Sequence, residues 1–292
     1  MHRFLLHNGQ IRETTEALLS PGQVGFMNGW GVFSTIRVSD GVLFAFERHY
    51  ARMRRDAERM RVPFEPSPAQ LEETLLTLVQ ANRAMNATLR VAVIRNQGNP
   101  FAGPGITRPV DWIAFTGPLT QWGNGVRLRY MPNGRYAASP FAGTKFTSWG
   151  QNLTLYEEAH ELGFDEWVLL NEFGQVSECT SANIFAIHSG ELVTPPLQSS
   201  GCLAGVTRAL LLEEVTIPGY SAVERDLQPA DLEASEQVFI TSTTRDLLPV
   251  LEIDGRGLRQ KPDVAAQLQQ AFREYRAQYV AAHVRQREIA AR

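Results

Sequence analysis

Lys145 and Glu178 are the two side chains whose types and spacing indicate chemistry. Lys145 stands in the run Ser139-Pro-Phe-Ala-Gly-Thr-Lys-Phe-Thr-Ser-Trp, and Glu178 follows 33 positions later, in Gly174-Gln-Val-Ser-Glu-Cys-Thr-Ser-Ala-Asn. A lysine with a lowered pKa can form an imine with an aldehyde. A carboxylate beside a pyridine nitrogen keeps that ring protonated, and the protonated ring stores the charge of a carbanion. The pair predicts an aldehyde cofactor that contains a pyridine ring.

The lysine content of the chain draws attention to Lys145. Of 28 basic side chains, only Lys145 and Lys261 are lysines. Arginine stays protonated and cannot act as an amine nucleophile, so a retained lysine suggests a task that arginine cannot perform. The alternative is that Lys145, like most lysines, is a solvated surface charge and that the arginine bias reflects a GC-rich genome. Lys261, in Arg259-Gln-Lys-Pro, is interpreted as a loop charge.

Two short segments offer donors for a phosphate. Gly201-Cys-Leu-Ala-Gly-Val-Thr-Arg leads into the apolar helix Ala209-Leu-Leu-Leu, and Thr241-Ser-Thr-Thr follows the strand Val238-Phe-Ile. Amides at a helix N-terminus and hydroxyl groups are donors that a phosphate accepts. Each segment taken alone is also typical of an ordinary cap or turn. Walker A, Rossmann, His-Glu-x-x-His and Gly-x-Ser-x-Gly patterns are absent from the sequence, and its six histidines lack metal-ligand spacing, so no metal is predicted.

The elements that must position these residues are of mixed type. Asn8-Gly9 and Asp40-Gly41 predict two hairpins. Apolar residues at a spacing of three and four predict helices, and β-branched runs predict strands. The predicted helices are 47–60, 68–82, 152–162, 207–215 and 263–289, and the predicted strands include 89–95, 112–116, 126–130, a hairpin over 167–178, 183–187, 191–194 and 237–241.

A Gly- and Pro-rich stretch, Gly117-Pro-Leu-Thr-Gln-Trp-Gly-Asn-Gly, separates two patterned regions. We therefore predict a small N-terminal α+β domain over 1–117, a linker over 118–125 and a larger domain over 126–292.

The composition excludes several classes of function. The chain has 292 residues, of which 43% are hydrophobic, which favours a large buried core. Its net charge of −3 gives no electrostatic reason to expect nucleic-acid binding. Its apolar runs are too short to span a bilayer. Two cysteines, Cys179 and Cys202, are too few for a disulfide framework, and the N-terminus lacks a signal-peptide pattern, so a cytoplasmic protein with free thiols is expected.

Several motifs in order resemble those of a known family. The run Gly163-Phe-Asp-Glu-Trp-Val-Leu-Leu-Asn-Glu-Phe-Gly-Gln-Val-Ser-Glu-Cys-Thr-Ser-Ala-Asn-Ile-Phe closely resembles the signature of class IV aminotransferases. Thr194-Pro-Pro-Leu, Gly201-Cys-Leu-Ala-Gly-Val-Thr-Arg, Gly29-Trp-Gly-Val-Phe-Ser-Thr-Ile-Arg, Asp40-Gly and His49-Tyr-Ala-Arg continue the match over about residues 4–255. The family contains branched-chain, D-amino acid and (R)-amine transaminases and aminodeoxychorismate lyases.

The resemblance implies a two-domain α+β fold, the fold type IV of pyridoxal-phosphate enzymes, similar to D-amino acid aminotransferase. It implies a homodimer that binds pyridoxal 5'-phosphate in the cleft between the domains. By the same resemblance, Lys145 is the Schiff-base lysine and proton shuttle, Glu178 holds the pyridine nitrogen, and Arg52 binds the phosphate.

The resemblance extends to further cofactor contacts. Val206 and Thr207 would add amides and a hydroxyl to the phosphate, Thr243 would add another hydroxyl, and Leu203 would pack on one face of the ring.

Substrate residues are the least constrained by the resemblance. Phe33, Arg95, Thr244 and Arg245 are the candidates, and Arg90 is a rival to the other two arginines as binder of a substrate carboxylate. Arg95 falls near the position of a carboxylate-binding arginine in D-amino acid aminotransferases, although a strand-end charge would explain it as well.

The chain departs from the family pattern at two places. Ser148 and Trp149 stand near positions where the family often has Asn and Tyr. Phe33-Ser34 replaces the Phe-Glu of branched-chain enzymes and is nearer the lyase form.

These features favour a transaminase that moves an amino group between an amino acid, of branched-chain type, and a 2-oxo acid. The alternatives are aminodeoxychorismate lyase, a D-amino acid or (R)-amine transaminase, and a non-catalytic protein that keeps the fold. Retention of both Lys145 and Glu178 argues against the last alternative.

Overall fold

The computed structural model of the protein describes residues 1–98, 103 and 106–290. The chain divides into two compact units. The first unit contains Met1–Thr120, Thr144–Trp149 and the chain from Arg276 onward, and the second contains Gln121–Gly143 and Gly150–Tyr275. Among the described residues, no helix is both long and apolar enough to cross a membrane.

The first unit is built on an antiparallel sheet. Its six described strands lie in the order β2-β1-β6-β5-β3-β4. The elements are β1 (Phe4–His7), β2 (Gln10–Glu13), α1 (Val24–Asn28), β3 (Gly31–Ser39), β4 (Val42–Leu43), α2 (Phe46–Arg59), α3 (Pro68–Ala81), β5 (Ala87–Arg95) and β6 (Val110–Gly117).

The alternation of side chains along β5 separates the two faces of this sheet. Leu89, Val91 and Val93 belong to the same buried cluster as Leu75 and Leu78 of α3. Successive residues of a strand point to opposite faces. Arg90 of β5 and Phe33 of β3 alternate along their strands with residues of this cluster. Their side chains therefore point to the opposite face of the sheet, away from α2 and α3.

Both predicted hairpins are confirmed. Asn8-Gly9 and Asp40-Gly41 have positive φ at both positions (50° and 80°, 48° and 77°), as the mirror-image turn of a tight hairpin requires. In the second hairpin the return strand ends at Leu43, because Ala45 adopts a left-handed backbone (φ 53°) and is the N-cap of α2.

The second unit is built on a larger mixed sheet. Its described strands lie in the order β12-β11-β10-β13-β14-β7-β8-β9, with β15 beside β14. The elements are β7 (Val126–Met131), α4 (Gly150–Glu161), β8 (Glu166–Leu170), β9 (Val176–Cys179), β10 (Asn183–His188), β11 (Glu191–Thr194), α5 (Leu197–Ser200), α6 (Val206–Glu213), β12 (Ser221–Glu224), α7 (Pro229–Ala234), β13 (Gln237–Ser242), β14 (Asp246–Ile253) and β15 (Arg256–Gly257), followed by α8 (Pro262–Ala290).

The two units differ from the predicted division of the chain at two places. Residues 144–149 group with the first unit because Phe146 forms an antiparallel bridge with Val32 of β3. The end of α8 also groups with the first unit, where the Tyr279 ring packs 5.2 Å from that of Phe44 and its hydroxyl donates to Glu47 (2.7 Å). The first unit's longest segment ends at Thr120, inside the stretch 118–125 predicted as the linker.

The sequence patterns did not predict several short elements. The helices α1, α5 and α7 have four to six residues, too few to display a helical period. The strand β14 contains Pro249, a residue that argues against a central strand because it lacks an N–H. It nevertheless lies between β13 and β7, and its register against β7 shifts between Val250 and Glu252.

A buried carboxylate joins distant segments of the first unit. Asp111 of β6 is fully buried and accepts hydrogen bonds from Asn8, Gln23, Asn96 (2.7 Å) and Arg108 (3.0 Å), with His7 Nε2 at 2.8 Å. Burial alone would raise the pKa of Asp111, but the hydrogen bonds from Asn8, Asn96 and His7 and the charge of Arg108 together lower it below its ordinary value. The ionised carboxylate therefore stabilises the folded unit.

We expect Asp111→Ala to lower the free energy of unfolding by about 3 kcal/mol, because it leaves buried donors without an acceptor. Since the folded-state pKa is depressed, the stabilisation is present above the ordinary aspartate pKa of about 4 and is lost as the pH falls through the folded value. Urea titrations at several pH values would measure both effects. Glu13→Gln, at an exposed pair with Arg3, is the control. Equal stability of the two variants would contradict the role given to Asp111.

Candidate active site

Lys145 lies on a short segment that is held along β3 in the first unit. The Phe33 N–H donates to the Lys145 carbonyl (3.1 Å), and the Thr147 N–H donates to the Gly31 carbonyl (2.9 Å). The Lys145 N–H donates to Asp56 Oδ2 of α2 (3.0 Å). These bonds fix the backbone from which the lysine side chain extends.

The Lys145 amine lies beside two aromatic rings and near a second cation. Its Nζ is 4.6 Å from the centroid of the Phe33 ring and 5.5 Å from that of Trp149. The two rings meet edge to face, with centroids 6.0 Å apart. The guanidinium carbon of Arg90 lies 3.9 Å from the same Phe33 centroid. The amine therefore lies in a half-buried aromatic surrounding that also contains a guanidinium.

Arg52 is held by a hydroxyl on β3. The buried guanidinium donates to Ser34 Oγ (2.8 Å), and His49 Nδ1 lies 2.8 Å from the same oxygen. Asp56, one helical turn after Arg52, is also buried and accepts from Arg55 (2.7 Å). The predicted phosphate residue Arg52 is thus not the surface charge that a helix pattern alone would indicate.

Burial sets the charges of this group. It lowers the pKa of Arg52 to about 10, an effect that Asp56 opposes and Arg55 reinforces. Burial, together with the charges of Arg52 and Lys145, lowers the pKa of His49 well below its ordinary value. Near neutral pH, Arg52 is therefore charged and His49 is neutral.

Sequence reasoning did not single out Ser34, His49 and Asp56. A signal for two of them was present, because His49, Arg52 and Asp56 stand at i, i+3 and i+7 of α2 and so lie on one helix face. Three polar residues on the buried face of an amphipathic helix indicate a polar cluster. No comparable signal exists for Ser34, because its partners come from another element.

Glu178 lies on β9 in the second unit. Its Oε1 accepts from Arg135 (2.7 Å), and its Oε2 accepts from the backbone N–H of Leu203 (3.0 Å). Each carboxylate oxygen can accept a further hydrogen bond. The side chain is only 8% exposed, so little space surrounds it. A carboxylate in this position could also accept a hydrogen bond from a pyridinium nitrogen, as the family resemblance predicts.

The loop before α6 is tightly fixed. Asn183 Nδ2 donates to the Leu203 carbonyl (2.9 Å), as does the Gly205 N–H (2.8 Å). A Cβ at Gly205 would lie 1.9 Å from Asn183 Oδ1, so this position has no room for a side chain.

Gly205 is the N-cap of α6, and no side chain caps the helix there. Val206 and Thr207 follow, both buried, and their amides belong to the first turn. An uncapped N-terminus leaves N–H groups available to an anion.

The turn between β13 and β14 presents a second set of hydroxyls. Thr243 and Thr244 are half-buried there, and the Thr244 carbonyl accepts from Trp122 Nε1 (3.1 Å). Thr241 Oγ1 is buried and has no hydrogen-bond partner among the described residues.

Two predicted substrate arginines are engaged with the protein itself. Arg95 donates to the carbonyls of Gln97 (2.8 Å) and Arg61 (2.6 Å) and stacks on Trp30. Arg245 forms a buried ion pair with Glu166 (2.5 Å) and lies over the Trp122 ring. Both arrangements weigh against a substrate role, because binding a carboxylate would require breaking existing bonds.

A family model described as amino-transferase class IV matches residues 31–253, well over half of the chain. A putative branched-chain-amino-acid aminotransferase of Methanocaldococcus jannaschii is 28% identical over 277 residues, covering 93% of this chain and 96% of the relative. A D-alanine aminotransferase of Bacillus licheniformis is 28% identical over 256 residues, covering 86% and 89%.

A solved structure supports the same fold. A hypothetical aminotransferase from Mycobacterium tuberculosis, in its PLP-bound form, superposes with a TM-score of 0.80 at 24% identity, covering 92% of this chain and 98% of that one. The expected fold type IV architecture is therefore confirmed. With the family model spanning both the Lys145 and the Glu178 segments, the chain belongs to the class IV aminotransferases.

Proposed function

We propose that this aminotransferase uses pyridoxal 5'-phosphate to transfer the amino group of an apolar, branched-chain type amino acid to a 2-oxo acid. The observation that carries the proposal is the placement of Lys145, whose backbone is fixed by β3 and Asp56 and whose amine lies beside Phe33 and Arg90. The aromatic rings of Phe33 and Trp149 suit an apolar side chain, and the name of the M. jannaschii relative agrees with that preference.

The residues present fit this cofactor. In the first unit, Lys145 supplies an amine and Arg52 a guanidinium for a phosphate. In the second unit, the uncapped start of α6 supplies amides, and Thr241 Oγ1 is a buried hydroxyl with no hydrogen-bond partner among the described residues. Glu178 supplies a carboxylate for a pyridine nitrogen.

Each unit's residues have a distinct task in the proposed reaction. When bound, the cofactor supplies an electron sink for the substrate Cα. Lys145 would hold the cofactor through its side-chain amine, and that amine, once free, would move the Cα proton. Glu178, which accepts hydrogen bonds from Arg135 and the Leu203 N–H, would hold the pyridine nitrogen, and the Leu203 side chain would pack on the ring.

The proposal includes a homodimer that acts in the cytoplasm. Large apolar side chains on α1, Phe26 and Met27, are exposed on the single chain, which is consistent with burial against a second copy. Cys179 and Cys202 are free and buried, with pKa values raised by burial, in keeping with a reducing compartment.

Lys145→Ala is expected to abolish the visible absorbance band of the lysine-bound cofactor and to lower kcat by about 10²–10⁴-fold, because a positioned acid-base group is lost. Spectra of the purified, cofactor-loaded protein and steady-state kinetics measure both effects. The matched control is Lys261→Ala, at the chain's other lysine, which is exposed and paired with Glu236. Retention of the band in Lys145→Ala, or its loss in Lys261→Ala, would overturn the assignment.

A donor and acceptor screen separates transaminase from lyase activity. With leucine as donor, we expect turnover only when 2-oxoglutarate or pyruvate is added, because the amino group must be passed on. Aminodeoxychorismate lyase would instead release pyruvate from its substrate without any acceptor. Chromatography of the products distinguishes the two, and acceptor-independent pyruvate release would replace the proposed activity with the alternative.

Ser34→Ala is expected to weaken binding of pyridoxal phosphate to the apoprotein about tenfold, because Arg52 loses the hydroxyl that orients its guanidinium. Absorbance titration measures the dissociation constant, and Ser34→Thr, which keeps the hydroxyl, should restore it. Ser39→Ala is the control, since Ser39 is buried on the same strand and makes no side-chain hydrogen bond among the described residues. Equal affinities of the two alanine variants would show that Ser34 does not position Arg52.

A further inference from the structure

A buried ion pair in the second unit is not used by the chemistry proposed above. Arg245 stands two positions after the candidate cofactor residue Thr243, in the turn between β13 and β14, and Glu166 begins β8. Arg245 Nη2 donates to Glu166 Oε1 (2.5 Å), and the two side chains are 5% and 0% exposed. Little of the pair is therefore accessible to water or to a substrate.

Ser181 completes this group and joins it to a second turn. Its backbone N–H donates to Glu166 Oε2 (2.7 Å), and its hydroxyl donates to Glu166 Oε1. The same hydroxyl oxygen accepts from Arg245 Nη1 (3.0 Å). Ser181 lies between β9, which carries Glu178, and β10, which begins at Asn183. One ion pair thus links the turn after β13 to the turn before β10.

The sheet brings these two turns together. Strands β10 and β13 are antiparallel neighbours, and Asn183 at the start of β10 stands opposite Thr241 near the end of β13. The turn that enters β10 and the turn that leaves β13 therefore lie at the same end of the sheet. Glu178 precedes one of these turns and Thr243 lies within the other, so two segments with candidate cofactor residues share one support.

Further contacts hold the turn between β13 and β14. The guanidinium carbon of Arg245 lies 4.0 Å from the centroid of the Trp122 ring, and the indole Nε1 donates to the Thr244 carbonyl (3.1 Å). The Arg245 N–H donates to Ser242 Oγ (3.3 Å). The contacts that fix the guanidinium therefore also fix the backbone of the turn.

The energetics favour a role in geometry over a role in stability. A buried ion pair loses its hydration, and its replacement by apolar groups of similar volume is often neutral or stabilising. Removal of one partner is costly, because it leaves an unpaired charge in the interior. Hydrogen bonds from a planar guanidinium to a carboxylate and a hydroxyl are directional, so they allow the turn only a narrow range of positions.

We propose that Arg245 is a positioning residue, which acts through Glu166 and Ser181 to hold Thr243 where its hydroxyl meets the phosphate of the cofactor. The inference rests on the proposed function for the identity of the cofactor. It corrects the interpretation of Arg245 as a substrate residue, because the guanidinium is already bonded to two partners inside the second unit.

The first test compares two ligands that differ only in the phosphate. Apoprotein is titrated with pyridoxal 5'-phosphate and with pyridoxal, and binding is followed by absorbance. We expect Arg245→Met and Glu166→Gln each to weaken binding of pyridoxal phosphate about tenfold, as for one displaced hydrogen bond to a charged group, and to leave the affinity for pyridoxal unchanged. The control is Arg225→Met, at an exposed ion pair with Glu191 in the same unit, which should bind both ligands like wild type.

The second test separates positioning from stability. The double variant Glu166→Gln/Arg245→Met should melt at a higher temperature than Arg245→Met, because no buried carboxylate is left unpaired, yet its affinity for pyridoxal phosphate should stay low. Arg245→Lys, which keeps the charge without the planar fork, should bind with an affinity between those of wild type and Arg245→Met. These two variants also serve if Arg245→Met alone does not fold.

Three results would overturn the role of Arg245. The first is a double variant that recovers affinity together with stability, which would make the pair merely structural. The second is equal weakening of pyridoxal and pyridoxal phosphate. The third is a raised KM for leucine in Arg245→Met, at saturating cofactor, with unchanged affinity for pyridoxal phosphate, since that would restore the substrate role.

The outcomes also separate this inference from the function on which it rests. A wild type that binds pyridoxal phosphate more tightly than pyridoxal, but transfers no amino group, would remove the proposed function. The phosphate-specific loss in Arg245→Met would still support the positioning role, because affinity for the cofactor does not depend on turnover.

Discussion

The pairing of residues 144–147 with the start of β3 is the constraint on which the lysine's position depends. Strand β4 covers only the far end of β3, at Val38 and Ser39, so among the described elements the 144–147 segment takes the edge at Gly31–Phe33. The approach is close. A Cβ at Gly31 would lie 2.4 Å from the Val93 carbonyl and 3.1 Å from Thr147 Oγ1, and a Cβ at Gly29, whose φ is +61°, would lie 2.4 Å from Ser148 Oγ. The Gly29-Trp-Gly motif is therefore a packing requirement of the segment that carries Lys145.

Electrostatics supplies the second constraint on the first unit. Arg52, Arg90 and Lys145 place three cations among buried or half-buried side chains, and burial disfavours each charge unless an anion compensates it. Asp56 compensates Arg52 in part, and the neutral state of His49 avoids adding a further charge. A phosphorylated, carboxylate-bearing complex would bring further anions to these side chains. The unit's own charges thus agree with the class of ligand that the family uses.

The sequence predicted those features that depend on neighbouring residues. Asn8-Gly9 and Asp40-Gly41 determine their turns locally, and the spacing in α2 and α3 determines which helix faces are buried. The roles proposed for Lys145 and Glu178 rest on motifs and remain predictions. Contacts between segments far apart in the chain could not be read in this way. Nothing local relates Ser34 to Arg52, Leu203 to Glu178, or the end of α8 to Phe44. The same limit applies to the division of the chain. The sequence predicted one continuous C-terminal domain, whereas residues 144–149 and the end of α8 group with the first unit.

The arginines show why residue type alone could not identify a substrate residue. The sequence alone does not distinguish Arg95, Arg245 and Arg90 as candidates for substrate binding. Arg95 was favoured because it falls near the position of a carboxylate-binding arginine in the family. Their partners differ: backbone carbonyls hold Arg95, the buried carboxylate of Glu166 holds Arg245, and the rings of Phe33 and Trp149 contact Arg90. Arg245 is the one cation paired with Glu166 among the described residues, and removing it from that buried carboxylate would be costly. Among the described residues, the Arg90 side chain makes ring contacts but no hydrogen bond and no ion pair, so residue type alone did not reveal that the three arginines have different surroundings.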